Sequence, residues 1–411
     1  MSVPYDVAII GAGAAGLAAA VRLARTPLKV VVLEARSRIG GRAHTTSMGG
    51  FALDQGCEWL HSADENLLVR PIEEAGFSID RTRPAWGRQS GNRHFSEAEQ
   101  DEFSNAFEAF DARLEAARLQ PDQAAADFLE PGNRWNRLID AVSSYYNGVE
   151  YDRVSVHDYG AYRDSGVNWR VREGYGTAIA ALGSRAEVML DCAVSRVEHG
   201  GASVRLVTTR GALEARTAIV AVPTPHLAEE RIRFSPALPE KVAAAAGLPL
   251  GLANKAFLAV DRPALLPANG HVFGRPDRTD TASYHLRPAG QNYIGVFVGG
   301  RHARTLEAAG EGAIAEFAMA ELEALFGSEL AASLKPLGET AWGRDVHALG
   351  SYSHALPGHT EDRQRLAEPV GGRLYFAGEA THRTAFSTAH GAWESGFRAA
   401  EEALAGLGFT G

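Results

Sequence analysis

Three glycines, Gly11-x-Gly13-x-x-Gly16, and a glutamate at position 34 form the pattern with the clearest chemical meaning in the chain. Glycines at that spacing between a strand and a helix let the backbone approach a pyrophosphate. The free N–H groups and dipole of the helix N-terminus then favour the anion. Glu34 closes the next apolar run, 18 residues beyond Gly16. A carboxylate there accepts hydrogen bonds from a ribose and repels a 2′-phosphate, so an NAD- or FAD-like dinucleotide is expected and not NADP. Arg42 follows Gly40-Gly41 directly and is a second candidate phosphate contact. Near the other end, an apolar run enters Gly378-Glu379 ahead of a glycine-containing helix, a further turn of N–H groups suited to an anion or carbonyl. Only four of the 41 basic residues are lysines, at positions 29, 241, 255 and 335. Where a generic positive charge is needed, this chain uses arginine.

These residues need elements to hold them. The Val/Ile-rich run Tyr5 to Ile10, the glycine turn, the alanine-rich stretch from Ala14 to Ala24 and a second apolar run from Lys29 to Leu33 predict a βαβ unit. Phe103, Phe107, Phe110 and Leu114 recur at helical steps, an apolar stripe that packing explains better than ligand binding. Strands are expected over 187–198, 203–207, 217–222, 252–260 and 373–378, with helices over 236–246 and 313–326. There is no internal repeat or low-complexity linker, and nucleotide-type strands stand at both ends, so one domain assembled from separated segments is expected.

Composition narrows the function classes. At 411 residues and 45% hydrophobic content, disorder and collagen-like fibre are excluded. The formal charge of −9, without a basic run, argues against nucleic acid and favours a cationic ligand. The two cysteines, Cys57 and Cys192, form no CxxC, so neither a disulfide scaffold nor a thiolate metal site is expected, and a reducing cytoplasm fits. Asp6 precedes the apolar start where a secretory signal needs basic residues, no run reaches the ~20 apolar residues of a membrane span, and the ending AEEALAGLGFTG carries no targeting tripeptide. A cytoplasmic protein without a membrane partner is expected.

The string LEARSRIGGR at 33–42 resembles the FAD-binding opening of the flavin amine oxidase and phytoene-desaturase superfamily. That resemblance implies FAD, with Arg42 at the pyrophosphate and Arg36 beside the adenosine. It also places Ala14, Ala15, Ala35, Gly41 and Val194 among the cofactor contacts. The ending LYFAGEATHRTAFSTAHGAWESG at 374–396 closely resembles that of polyamine oxidases of the spermine and acetylpolyamine type. It implies Glu379 near the pyrophosphate and ribityl chain, with Gly378, Thr388 and Ala389 against the cofactor. LDQGCEWLHS at 53–62 is similar to the segment that passes Gly56 under the flavin, with Trp59 beside it and His61 at the substrate, a pattern of the animal-type enzymes. A histidine there is otherwise a buried, hydrogen-bonded core residue.

The third match runs from Ala221-Val222-Pro223 through 234–239 to Gly251-x-x-Asn254-Lys255, and implies that Lys255 holds a water against flavin N5. Lysine at this position is not the generic choice of the chain, and a compact ammonium suits a single water better than a guanidinium does. Trp342 with Gly350-Ser351-Tyr352-Ser353 resembles the segment that sets a tryptophan by the flavin and an aromatic at the substrate, and Gly174-Tyr175-Gly176 also fits. Monoamine oxidases have a covalently bound cysteine where Ser351 stands, so non-covalent FAD is implied. Ala385-Phe386 departs from the two aromatics usual in the animal enzymes, and 85–170 resembles nothing alignable.

The fold implied is α/β: a doubly wound, Rossmann-like FAD domain (1–80, 186–230 and 366–411) interleaved with an α+β substrate domain (81–185, helical, and 231–365). The activity implied is oxidation of a secondary or tertiary amine, foremost a polyamine. Hydride passes from the α-carbon to flavin N5, the imine is hydrolysed to aldehyde and amine, and O2 becomes hydrogen peroxide. Lys255 and His61 are the catalytic candidates. His61, Glu58, Tyr352, Phe386 and Thr388 are those for holding the small-molecule amine. Open alternatives are a monoamine, amino-acid or alkaloid oxidase or dehydrogenase on the same fold, and, from another class, a flavin-binding demethylase-like or regulatory module, against which the length and acidity of the chain weigh.

Overall fold

The computed structural model describes residues 5–409; the last two residues of the C-terminal tail, part of the segment read for a targeting tripeptide, lie outside it. An eight-stranded sheet carries the glycine turn. Its parallel centre runs Leu374–Phe376, the second half of Gly211–Val220, Tyr5–Ile10, Val30–Leu33 and Val188–Met189. Ile10 lies opposite both Leu33 and Val220. These strands are apolar on both faces because helices cover both, as parallel sheets require. The first half of Gly211–Val220 pairs antiparallel with Val204–Thr208, which pairs with Val194–Glu198, and Arg233–Ser235 adds a parallel edge. The strand expected over 187–198 is therefore two, split at Asp191, whose φ of 50° turns the chain.

Two helices cross on one face of this sheet. Ala14–Leu23 leaves the glycine turn, and Ala389–Gly406 packs on it through small residues. A Cβ at Gly16 would stand 1.9 Å from the Gly11 carbonyl oxygen, and one at Gly396 2.0 Å from that of Ala15. Both glycines are required by close approach. Strand Trp169–Val171 and helix Tyr175–Leu182 supply side chains to the same core, although they fall in the expected helical segment 81–185. Helix Pro239–Ala246, shorter than the 236–246 expected because its proline sits at the start, packs on the opposite face, although it falls in 231–365.

The second sheet is antiparallel throughout, in the order Gly270–Phe273, Ser283–Leu286, Tyr293–Gly299, Ala253–Val260, Leu334–Glu339. Its side chains alternate faces. Phe273, Ser283, Phe297 and Lys255 form one cross-strand row with His271 and His285 beside it, all towards a cavity. Val272, Tyr284, Val296 and Leu258 point the other way, onto helix Ala313–Phe326, whose bounds match the sequence reading. A helical lobe closes the cavity. Its helix Glu97–Ala117 starts with a capping box between Ser96 and Glu99, and buries Phe110 and Leu114 while Phe103 packs on Trp135 and Phe273. The aromatic stripe is core.

Gly396→Ala is expected to destabilise the protein by about 1–3 kcal/mol, since its methyl meets backbone that a rotamer change cannot move. Denaturant unfolding is the measurement.

Candidate active site

One cavity of about 1170 Å³ extends from the glycine turn to the sheet face that bears Lys255. Gly11 takes a φ of +99°, and a Cβ on Gly13 would meet nothing within 4 Å, so it would project into open space. No side chain caps the first turn of helix Ala14–Leu23, which leaves its N–H groups free for an anion. Glu34 is buried at the rim. Its Oε2 accepts from the Ala12 amide at 2.7 Å and its Oε1 from the Arg36 amide at 2.9 Å, which fixes the carboxylate while lone pairs remain for ribose hydroxyls. This donor set fits a dinucleotide. Ala14, Ala15, Ala35, Gly41, Arg42 and Val194 line the same end. The Arg36 guanidinium forms a bidentate pair with Asp345, 2.7 Å at each bond, a partner 309 residues away.

Glu379 is the hub of the middle section. Its carboxylate accepts from Arg42 Nη1 at 2.9 Å, Ser353 Oγ at 2.6 Å and the Ser387 amide at 2.9 Å. Burial alone would raise its pKa, but Arg42, Ser353 and Arg363 outweigh that and hold it below the usual glutamate range. Arg363 donates to Ser353 Oγ at 2.9 Å and forms a fully buried bidentate pair with Asp158, at 2.6 and 2.8 Å. Thr388 caps helix Ala389–Gly406 through the Gly391 amide and donates to the Ala385 carbonyl, so its hydroxyl is engaged locally while Thr388 and Ala389 line the cavity. Trp342 donates from Nε1 to the Gln55 carbonyl at 3.0 Å, and its ring lies against Gly56.

At Lys255 all three ammonium N–H groups have protein acceptors: the carbonyls of Asp54 and Gly56, each at 2.9 Å, and Glu58 Oε2 at 2.8 Å. A water held by Lys255 would take the place of one of them. Glu58 Oε1 lies 2.7 Å from Arg170 Nη2, so Glu58 is not a free anion for a substrate ammonium. Burial raises the Glu58 pKa, but Lys255 and Arg170 prevail and hold it at about 2. Arg170 stacks 3.9 Å from the Trp59 ring centroid, which gives Trp59 a partner that the sequence did not suggest. His285 sits between two donors, Arg170 Nη2 at Nδ1 and Trp86 Nε1 at Nε2, each at 3.0 Å. Burial and Arg170 keep the ring neutral, and a neutral imidazole accepts at one nitrogen only, so the two bonds exclude each other.

His61 lines the cavity with Nδ1 2.6 Å from Asn168 Oδ1. The amide oxygen only accepts, so Nδ1 carries the proton and Nε2 keeps a lone pair. Burial lowers the His61 pKa, partly offset by Asn168 and Asp164. Tyr352 donates to the Tyr145 carbonyl and presents its ring. Phe386 stacks with Arg363 at 3.7 Å and packs edge-on to Tyr162. Sequence reasoning missed Arg170, His285, Asn168 and Trp86. Three of them fall in 85–170, where the sequence alone offered no resemblance, and for the fourth the available signal was the alternation of His285 with Ser283 on a strand.

The chain belongs to the flavin-containing amine oxidoreductase family, whose model matches residues 14–404. Among curated relatives, "Probable polyamine oxidase 4" of Arabidopsis thaliana is 29% identical over 97% of this chain and 87% of its own length. "Lysine-specific histone demethylase 1 homolog 2" of Oryza sativa subsp. japonica is 29% identical over 97% of this chain and 57% of its own. Among solved structures, a putrescine oxidase variant (19% identity) and cyclohexylamine oxidase from Brevibacterium oxydans IH-35A (21%) each superpose with a TM-score of 0.79, over 98% of this chain and 99% of theirs. The fold is that of the flavin amine oxidases. "Polyamine oxidase 2" of Arabidopsis thaliana is similar at 28% identity over 97% of this chain and 87% of its own length.

The depressed pKa of Glu58 has a signed consequence. Its contribution to stability is present above the ordinary value of 4.5 and is lost as pH falls towards about 2. The unfolding free energy of wild type is expected to exceed that of Glu58→Gln by about 3 kcal/mol or more near pH 6, and the difference to shrink below pH 4.5. Denaturant titrations of both proteins across pH check this.

Proposed function

We propose that the protein is an FAD-dependent amine oxidase of the polyamine oxidase type, with non-covalent cofactor and O2 as acceptor. The observation that carries this reading is the single cavity in which the Gly11–Gly16 turn and Glu379 share a wall with Lys255 and His61. Gly11, Gly13 and Gly16, Glu34 and Arg42 would hold the dinucleotide, and helix Ala389–Gly406 would offer its N-terminal N–H groups beside Thr388. Ser351 exchanges hydrogen bonds with the backbone of Ala253 and is not a thiol, which supports non-covalent binding. When bound, FAD supplies hydride acceptance from the amine α-carbon and return of the electrons to O2 as hydrogen peroxide, with the imine hydrolysed to aldehyde and amine.

The chain's own residues bind and orient. His61 Nε2 accepts from the substrate nitrogen or takes its proton, with the ring fixed by Asn168. Tyr352 and Phe386 confine the α-carbon with apolar faces, and Lys255 sets a positive charge in the wall where negative charge develops on O2. One observation favours a second reading, a monoamine oxidase. Glu58 is already paired with Lys255 and Arg170, and Asp164, the other acid beside the amine end of the cavity, is an exposed residue. A second ammonium therefore finds no unpaired carboxylate deep in the chamber.

Anaerobic bleaching of the flavin by polyamines, acetylpolyamines and monoamines separates the readings. Reduction by polyamines is expected, and reduction by monoamines alone would replace the first reading with the second. Lys255→Met is expected to slow reoxidation by O2 about tenfold or more, as loss of a fixed charge at a reacting centre does. Unchanged reoxidation and turnover would remove Lys255 from the mechanism.

A further inference from the structure

Glu58 is a half-buried carboxylate in the cavity wall, with its side chain 14% exposed and both oxygens held by cations. Lys255 Nζ is bonded by three acceptors from one short stretch, the carbonyls of Asp54 and Gly56 and the side chain of Glu58. This stretch joins strand Phe51–Asp54 to strand Trp59–Leu60. Of the three acceptors only Glu58 carries a charge, since the carboxylate of Asp54 is turned away onto Thr45 Oγ1 and the amides of Tyr175 and Gly176. Removing Glu58 would take away the one carboxylate in contact with both Lys255 and Arg170 and leave two poorly hydrated cations facing each other.

Glu58 is also tethered from behind. Arg170 reaches it at 2.7 Å, lies over the Trp59 ring at 3.9 Å and approaches His285 Nδ1 at 3.0 Å. Trp59 and Arg170 are themselves a cross-strand pair. On the other side, the Lys255 ammonium lies 4.8 Å from the Phe297 ring centroid. The ammonium thus touches the loop and the large sheet directly, and the small sheet acts on it through Glu58.

We propose that Glu58 is a positioning residue for Lys255. It supplies the single charged acceptor and, through Arg170 and Trp59, fixes where the ammonium stands in the wall that faces the cofactor. This rests on the amine oxidase reading for its kinetic consequence, though not for its structural one. Glu58 takes part in no bond-making step; it acts by holding the lysine.

The test uses nitrogen-15-labelled holoenzyme, in which four lysines give at most four ammonium signals. Slowly exchanging signals are expected from Lys255 and from buried Lys241, whose Nζ is bonded by the carbonyls of Arg365, Leu366 and Glu368. Lys255→Met assigns the first. Glu58→Gln is expected to abolish the Lys255 signal while that of Lys241 persists as an internal check of folding, and Glu58→Asp to restore the signal. Reoxidation by O2 is measured after photoreduction, with no amine present, and is expected to slow about tenfold in Glu58→Gln, towards the rate of Lys255→Met, and to recover in Glu58→Asp. Should Glu58→Gln not accumulate folded, Arg170→Gln removes the tether instead and is expected to shift both readouts the same way by less. A retained Lys255 signal in the substituted protein, or a lost signal with unchanged reoxidation, overturns the proposal. Absence of amine turnover with both readouts as expected would count against the amine oxidase reading alone.

Discussion

A chain of alternating charges, buried except at its half-buried Arg42 end, holds the site together: Asp158, Arg363, then Ser353, Glu379 and Arg42, in successive contacts of 2.6 to 2.9 Å. Asp158 sits on helix Val156–Ala161 of the lobe, Arg363 on helix Asp362–Ala367, Glu379 on the turn after the last strand of the nucleotide sheet, and Arg42 just beyond the first βαβ unit. Segments more than 300 residues apart therefore meet at one set of hydrogen bonds. Buried ions are tolerated only when paired and bonded, so each member requires the next. The arrangement orders the cavity wall as well, because Arg363 stacks on Phe386 and Glu379 holds the Ser387 amide ahead of the helix that begins at Ala389.

The cavity exists because two sheets with different burial rules face each other across these bonds. The parallel sheet is covered on both faces and offers only its strand ends, where Gly11 and Gly378 leave room for a ligand. The antiparallel sheet buries one face on helix Ala313–Phe326 and gives the other to the cavity, so every second residue of its strands is free to be polar. Phe273, Ser283, Phe297 and Lys255 occupy that free face in one cross-strand row. A one-residue slip of the strand Ala253–Val260 would send Lys255 into the apolar core, so register places this lysine as firmly as its hydrogen bonds do.

How much was legible in the sequence follows from this. The glycine turn, Glu34 and helix 313–326 were readable because their cause is local: a required φ, a fixed offset along the chain or a helical period. Lys255 stood out through its residue type. The role of Glu58 was not readable, because what decides it is Arg170, which lies 112 positions away in a segment without a recognisable pattern, and pairing across folded segments leaves no spacing to detect. The limits of the helical segment were obscured similarly, since Tyr175–Leu182 reads as an ordinary apolar helix whichever core it joins.

The scarcity of lysine has a geometric explanation. Lys29 and Lys335 are exposed, whereas Lys241 and Lys255 are both buried, and each points its ammonium at three protein oxygens. Three converging acceptors match the three tetrahedral N–H bonds of an ammonium; a planar guanidinium would leave donors unsatisfied in such a cage. At Lys241 the acceptors are all backbone carbonyls, and desolvation, only partly offset by the more distant Glu368 carboxylate, lowers its pKa to about 8. At Lys255 one of the three is a carboxylate in contact. The two cages thus share a shape and differ in charge, and the charged one is the one built into the wall of the cavity.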